Sequence, residues 1–436
     1  MVVSFGSKRS FLFLQGLATP FFVRLGREIA SRGHAVHRIN LCGGDRVFWP
    51  KLGAVDFRGR FSEWRSFLGN FLHESAVTDI ILFGDCRPYH RVAIELARSR
   101  GVAVHVFEEG YFRPDWITLE RDGTNAFSNL PRDADLLIAE AARETQPEPP
   151  ARGVSGGFTR RVMWEGLNQI STLLLAPIFP HYRRHRSHHP LAEFGGWMKR
   201  LAKRPFERSY MRRVQNYVTD PQRKFYLLPL QLETDFQIRR HSGFKTMTEV
   251  MELVLESFAR KAPADAVMVV KLHPLDNGLV NFRRQAKRIA RRSGLRGRVF
   301  VVDGGHLPTL LSKSQGVVVV NSTTGLSAIH HGRPLKTLGR ALFDMPGLTF
   351  QGSLDRFWQE KSQPDPELFR AFRRVVLGRA QVNGSFFTDI GMELAIEGAM
   401  ERLGVTAVPS HIAAPSRTEM EPAGLAPARS AVLLRN

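Results

Sequence analysis

Four short apolar runs, each ending in a polar cluster, constrain this chain more than any other feature. The most informative is Phe225 to Phe244. It opens as Phe225-Tyr226-Leu227-Leu228-Pro229-Leu230 and closes on Gln231, Glu233, Thr234, Asp235, Gln237, Arg239, Arg240, His241 and Ser242. An apolar run of that kind suits a buried strand. Taken alone, its polar end would pass for an ordinary strand-to-helix loop. Three more stretches have the same form: Val104 to Gly110 ends in Glu108-Glu109-Gly110, Val267 to Pro274 in Lys271-Leu272-His273-Pro274, and Val317 to Gly325 in Asn321-Ser322-Thr323-Thr324-Gly325. Ligands of open α/β sheets gather at the carboxyl ends of the strands. Four such ends together describe a site rather than four unrelated loops.

Between these runs the pattern alternates strand with helix. Strands are expected at 11–15, 35–41, 79–84 and 102–107, with helices at 21–32, 61–75 and 90–100. Gly16 opens the turn after the first strand, and Gly43-Gly44-Asp45-Arg46 follows the second. From Lys224 a second unit begins, with strands expected at 224–231, 266–272, 298–303, 316–321 and 334–338. Its helices are expected at 246–261, 279–293, 307–314 and 325–331, with two more at 366–377 and 388–403. Alternation over this length predicts parallel sheets covered by helices on both faces. At 436 residues the chain is too long for one small core. The expected fold is α/β and GT-B-like, two Rossmann-like domains with a cleft between them and a basic helical insertion. The divisions expected are 1–157 for the first domain, 158–218 for the insertion, 219–385 for the second domain, 386–406 for a closing helix and 407–436 for a disordered tail.

Sixty-two basic residues against 41 acidic give a net charge of +21. Such a balance calls for an anionic partner: nucleic acid, an anionic membrane surface or phosphorylated small molecules. The basic residues are densest from Phe158 to Asn216, where Arg160, Arg161, Arg183, Arg184, Arg186, Lys199 and Arg200 are interleaved with Trp164, Tyr182 and Trp197. That mixture suits a membrane interface; a solvated helical hairpin packed on the first domain is the plainer alternative. A nucleic-acid-binding protein is the rival class, but no helix-turn-helix, RRM or KH pattern is present, and no nucleic-acid partner is expected. No window approaches the ~20 apolar residues needed to span a bilayer. The expected location is cytoplasmic, peripheral to the inner membrane. Cys42 and Cys86 offer neither a disulfide framework nor a metal cluster, and both are expected as buried thiols.

The strand ends carry recognisable chemistry. Hydroxyls and backbone N–H groups around Asn321-Ser322-Thr323-Thr324-Gly325 can hold a phosphate without a metal, or simply cap a helix. His273, fixed by Pro274 and close to Lys271, can donate to a phosphate oxygen. Glu108, Glu109 and Asp235 come from different domains and can face one another across a cleft, as an acid/base and nucleophile pair requires. Nothing spaces like a zinc site, and no metal is expected.

Glu108-Glu109-Gly110 resembles the D/E-D/E-G motif, His273-Pro274 the HP motif and Asn321-Ser322-Thr323 the S/T motif of bacterial CMP-sugar glycosyltransferases of capsule assembly. The text around them resembles the capsular polysaccharide biosynthesis/export family over roughly residues 10–400. It includes Phe13-Leu14-Gln15-Gly16, Gly43-Gly44-Asp45, Arg113-Pro114-Asp115-Trp116 and Gln231…Asp235…Gln237-Ile238-Arg239…His241-Ser242. Within that family it is similar to the KpsS-type β-Kdo glycosyltransferases. The resemblance implies transfer of Kdo from CMP-β-Kdo, with retention, to a phosphatidylglycerol-type lipid, starting the linker for capsule polysaccharide. It implies Asp235 as nucleophile, Glu109 or Glu108 as acid/base, and His273 with Asn321, Ser322 and Thr323 at the CMP phosphate. Lys271, Pro274, Thr324, Gly325, Gln231, Arg239, His241, Gly16 and Asp45 complete the expected substrate contacts. The donor CMP-Kdo is a substrate, so no cofactor is expected, and other capsule assembly proteins are candidate partners. The alternative enzyme is another CMP-sugar transferase, sialyltransferase-like, that extends a polysaccharide.

Overall fold

The computed structural model describes residues 7–50, 53–144, 148, 151–154, 156–184, 190–233 and 242–405. The first unit contains β1 (Ser10–Phe13), β2 (Ala35–Asn40), β3 (Val55–Asp56), β4 (Asp79–Phe83), β5 (Ala103–Glu109) and β6 (Trp116–Arg121). The second contains β7 (Phe225–Pro229), β8 (Val267–Lys271), β9 (Val299–Val302), β10 (Gly316–Val319) and β11 (Leu335–Thr337), and β12 (Gln381–Asn383) follows. The sheet orders are β12-β6-β5-β4-β1-β2-β3 and β11-β10-β7-β8-β9. In each unit the first strand lies between the second and the fourth, which is the Rossmann order. The chain order therefore reverses at the β1–β4 and β7–β10 seams, and crevices open at those points.

The strands form because both of their faces find cover. In β7, Phe225 and Leu227 enter one core cluster while Tyr226 and Leu228 enter the other. β10 divides in the same way, with Val317 and Val319 on one side and Val318 on the other. In β1, Phe11 and Phe13 face away from Leu12. Such double burial explains the unbroken apolar runs of the sequence.

One expectation is corrected: the first sheet is mixed. β6 pairs antiparallel with β5, and β12 pairs antiparallel with β6. Only residues 110–115 join β5 to β6, and a parallel crossover needs a dozen or more residues.

The chain then returns to where it began. The Pro366–Ala380 helix packs on the Ala134–Arg143 helix, with Arg379 Nη1 2.6 Å from Glu140 Oε2. β12 extends the first sheet. The Asp389–Arg402 helix buries Met392, Ala395 and Ala399 in the cluster that holds Phe21 and Phe107. The returning chain thus ties the second unit to the first.

The insertion is helical and shared between the units. The Phe158–Leu174 helix lies on the short Gly43–Val47 helix of the first unit. The Pro190–Val218 helix belongs to the second, where Val214 and Val218 enter its core. Arg200, grouped in the sequence with surface cations, sits only 16% exposed. Its Nε donates to Asp303 Oδ2 at 2.8 Å and its Nη1 to the Pro274 carbonyl at 2.9 Å. It clasps the loop that carries His273, so it is not a headgroup ligand. Cys42 and Cys86 are buried thiols, not joined in a disulfide. Among the described residues no helix is long and apolar enough to cross a membrane.

Candidate active site

The carboxyl ends of β4, β5, β7, β8 and β10 converge on one cleft of about 750 Å³ between the units. Its wall includes Glu108, Glu109, Gln231, Lys271, His273, Pro274, Asn321, Ser322, Thr323 and Thr324, so most of the residues singled out in the sequence meet there. At the β7–β10 seam, Gln231 Nε2 donates to Asn321 Oδ1 at 2.9 Å and Asn321 N donates back to Gln231 Oε1 at 3.3 Å. This buried exchange fixes both strand ends and leaves the next residues to form the wall. Ser322 Oγ accepts from Thr324 N at 3.2 Å, so the turn is held by its own hydroxyl.

Glu108 and Glu109, adjacent on β5, have opposite electrostatics. Burial, then the neighbouring Glu109 and Asp85, push the Glu108 carboxyl up to about 8. It holds its proton at neutral pH. Gly84, at φ +73°, makes the left-handed turn after β4, and a Cβ there would stand 3.3 Å from Glu108 Oε2. For Glu109 burial works in the same upward direction, but Arg113 and Arg161 outweigh it and hold the group down at about 2. Arg113 Nη1 is 2.8 Å from one Glu109 oxygen and Arg161 Nη2 is 2.5 Å from the other. One strand end thus offers a proton carrier beside a clamped anion.

Across the cleft, His273 Nδ1 accepts from Leu275 N at 3.0 Å. Burial, then Arg113, lower its pKa to about 4. The ring is neutral at pH 7 and its remaining proton is on Nε2, a neutral donor. Lys271 is almost buried and donates from Nζ to the Gly304 carbonyl at 2.8 Å. Burial lowers its pKa as well, against the pull of Asp303.

Three expected site residues, Asp235, Arg239 and His241, lie outside the described residues. Leu232, three positions before Asp235, is part of the cleft wall. Gly325 is not in the wall: a Cβ there would come within 2.7 Å of the Phe343 ring, so the position serves the packing of the short helix behind Asn321.

Gly16 and Asp45 line a second, smaller cavity of about 80 Å³, at the β1–β4 seam of the first unit. Asp45 is buried there 3.0 Å from Arg38 and accepts from Leu41 N at 3.0 Å and Gln15 Nε2 at 3.2 Å. Arg87 borders both cavities.

Sequence reasoning missed Arg87, Arg113, Arg161 and Asp85 as residues of the cleft. Arg113 follows Glu109 by four positions and lay within a quoted motif. Nothing local distinguishes Arg161 from the other cations of the insertion, because only the packing of its helix brings it to Glu109. Asp133 and Asp135, whose spacing imitates a metal-binding acidic pair, open a surface helix that Asp133 caps at Leu136 N. Among the described residues no group of three His, Cys, Asp or Glu is placed to hold a metal.

Comparison with known proteins adds the family. Residues 78–387 match the model of the capsule polysaccharide biosynthesis protein family. The capsule polysaccharide modification protein LipB of Neisseria meningitidis is 37% identical over 398 residues, covering 88% of this chain and 93% of LipB. The capsule polysaccharide export protein KpsS of Escherichia coli is 34% identical over 382 residues, covering 87% of this chain and 97% of KpsS. Among solved structures, the β-Kdo 2,7 transferase KpsC of Thermosulfurimonas dismutans aligns with a TM-score of 0.42 and 15% identity over 90% of this chain and 99% of that one, too remote to bear on function. With the family model matched over residues 78–387 and relatives of 34–37% identity matched over nearly their whole length, the chain belongs to the capsule polysaccharide biosynthesis protein family.

Proposed function

We propose that the protein is a retaining glycosyltransferase that moves Kdo from CMP-β-Kdo to a phosphatidylglycerol-type lipid at the membrane surface. The names of its relatives place them in capsule modification and export, and such a step would start the linker on which capsule polysaccharide is built. The observation that carries the reading is the cleft itself, where a Glu108 that keeps its proton at neutral pH lies across from a neutral, hydrogen-donating His273.

The steps follow from those groups. His273 Nε2–H, the hydroxyls of Ser322 and Thr323, and the nearby cations receive the CMP phosphate. Asp235 attacks the anomeric carbon as the bond to the phosphate oxygen breaks. CMP leaves with the proton of Glu108. The Glu108 carboxylate then takes a proton from the acceptor hydroxyl, which displaces Asp235 and restores both the proton and the anomeric configuration. Glu109 stays ionised throughout and holds Arg113 and Arg161 at the wall.

Titration calorimetry with CMP tests the donor half. His273→Ala and Ser322→Ala are each expected to weaken CMP binding about 10-fold or more, since hydrogen bonds to a charged group contribute roughly 1.5–3 kcal/mol. Transfer is expected to survive a chelator. Unchanged CMP affinity in both variants, or transfer lost in EDTA and restored by magnesium, would refute this donor site.

A further inference from the structure

The Phe158–Leu174 helix has two faces of opposite character. Its inner face is bound to the first unit: Arg161 pairs with Glu109, Gly44 N donates to Thr172 Oγ1 at 3.2 Å, and the backbone of Ser171 approaches Gly43 so closely that a Cβ there would stand 2.3 Å from its carbonyl oxygen. The outer face is apolar and uncovered. Val162, Met163, Leu167, Ile170, Leu173 and Leu174 are all exposed, Met163 at 67% and Leu174 at 71%. At about 100° per residue these six fall within an arc of roughly 140°, with only Thr159 and Gly166 between them and no charged residue. Arg160 stands at the edge of the arc, paired with Asp389. The exposed strip continues past the helix end through Ala176 and Pro177.

A contiguous apolar surface of this kind is an interaction site. We propose that this face seats on an anionic lipid bilayer, with the helix lying along the surface and its apolar arc buried at the headgroup boundary. Two observations select a bilayer. The arc carries no side chain able to hydrogen-bond specifically apart from Thr159, as a fluid hydrocarbon boundary allows and a defined protein interface rarely does. The rest of the chain supplies the electrostatic half, a net +21, with exposed Lys199, Lys203, Arg208, Arg212 and Arg213 on the next helix. An amphipathic helix on a basic protein binds through apolar burial and attraction to anionic headgroups together. The same helix carries Arg161 in the cleft wall on its inner face, so seating it holds the cleft about one helix diameter from the bilayer surface, within reach of a lipid acceptor. That consequence rests on the lipid acceptor proposed above; the seating itself does not.

Vesicle flotation decides the question without donor or acceptor turnover. The full chain is mixed with vesicles of phosphatidylcholine alone or of phosphatidylcholine with phosphatidylglycerol. Wild type is expected to float with the anionic vesicles and far less with the neutral ones. The triple variant Met163→Asp, Ile170→Asp, Leu174→Asp is expected to lose at least 10-fold in the floated fraction while its circular dichroism and thermal midpoint stay those of wild type. Ile170→Trp, a surface change that leaves the fold intact, is expected to increase flotation. If the triple variant or Ile170→Trp floats as wild type does, the proposal falls. It also falls if the arc instead covers a second copy of the chain, in which case light scattering would show a wild-type dimer become a monomer in the triple variant. Should flotation behave as expected while no sugar is transferred to lipid, the seating stands and the function proposed above fails.

Discussion

Glu108→Gln is expected to lower sugar transfer by roughly 100- to 10,000-fold, the range that a positioned acid/base contributes, and at the same time to stabilise the protein in alkali. Both effects have one cause. Burial, with Glu109 and Asp85 beside it, raises the Glu108 pKa from 4.5 to about 8. A carboxyl whose folded pKa lies above its unfolded value favours folding least once it must ionise. Its contribution is intact at low pH and declines as pH rises from about 4.5 to about 8. A neutral amide never ionises, so at pH 9 the variant escapes a penalty of about 5 kcal/mol. Urea unfolding at pH 4 and pH 9 measures it: the variant should gain at pH 9 and not at pH 4, with part of the gain already present at pH 6. In the wild type, transfer should fall as pH passes about 8, and this limb should vanish from whatever activity the variant keeps. Near-normal transfer with no alkaline gain would remove Glu108 from its role. Glu109→Gln should not show the alkaline gain, because its anion is held by Arg113 and Arg161.

Asp45→Ala is expected to destabilise the first unit by about 3–5 kcal/mol, the usual consequence of removing one partner from a buried ion pair. Arg38 and Asp45 are only 3% and 7% exposed at 3.0 Å separation. Without the carboxylate, Arg38 keeps a charge that water does not reach, Leu41 N loses its acceptor, and Gln15 Nε2 is left with Tyr182 Oη and Cys42 Sγ. Chemical unfolding followed through the first-unit tryptophans Trp49, Trp64 and Trp116 reports the loss. CMP binding, which is assigned to the second unit, should change little in protein that remains folded. A midpoint within error of wild type would mean that the bonds of Arg38 to Asn40 Oδ1 and the Leu14 carbonyl suffice to hold its charge.

Most of the framework was legible in the sequence because its strands are buried on both faces. Such strands appear as unbroken apolar runs, and helices of ordinary period separate them. The polar ends of β5, β8 and β10 were legible for the same reason, since the run stops where the cleft begins. The antiparallel β6 was missed although its signal was available: six residues after Glu109 are too few for a crossover. β12 has three residues and exists only because the returning chain meets the edge of β6. The pairings of Arg161 with Glu109 and Arg200 with Asp303 span 52 and 103 positions, and no local pattern encodes contacts over such separations. The opposite electrostatics of Glu108 and Glu109 were equally hidden, since adjacent identical residues differ only in what surrounds them once the chain is folded.

The central claim is that this cleft joins Kdo to a lipid. Purified full-length protein is incubated with CMP-Kdo and a fluorescent phosphatidylglycerol in vesicles, and the lipid is analysed by mass spectrometry. The account predicts one Kdo added to the lipid, with the β configuration retained, and no such product from Asp235→Asn. A lipid of unchanged mass, alongside Kdo added to an oligosaccharide or released only as the free sugar, would contradict it.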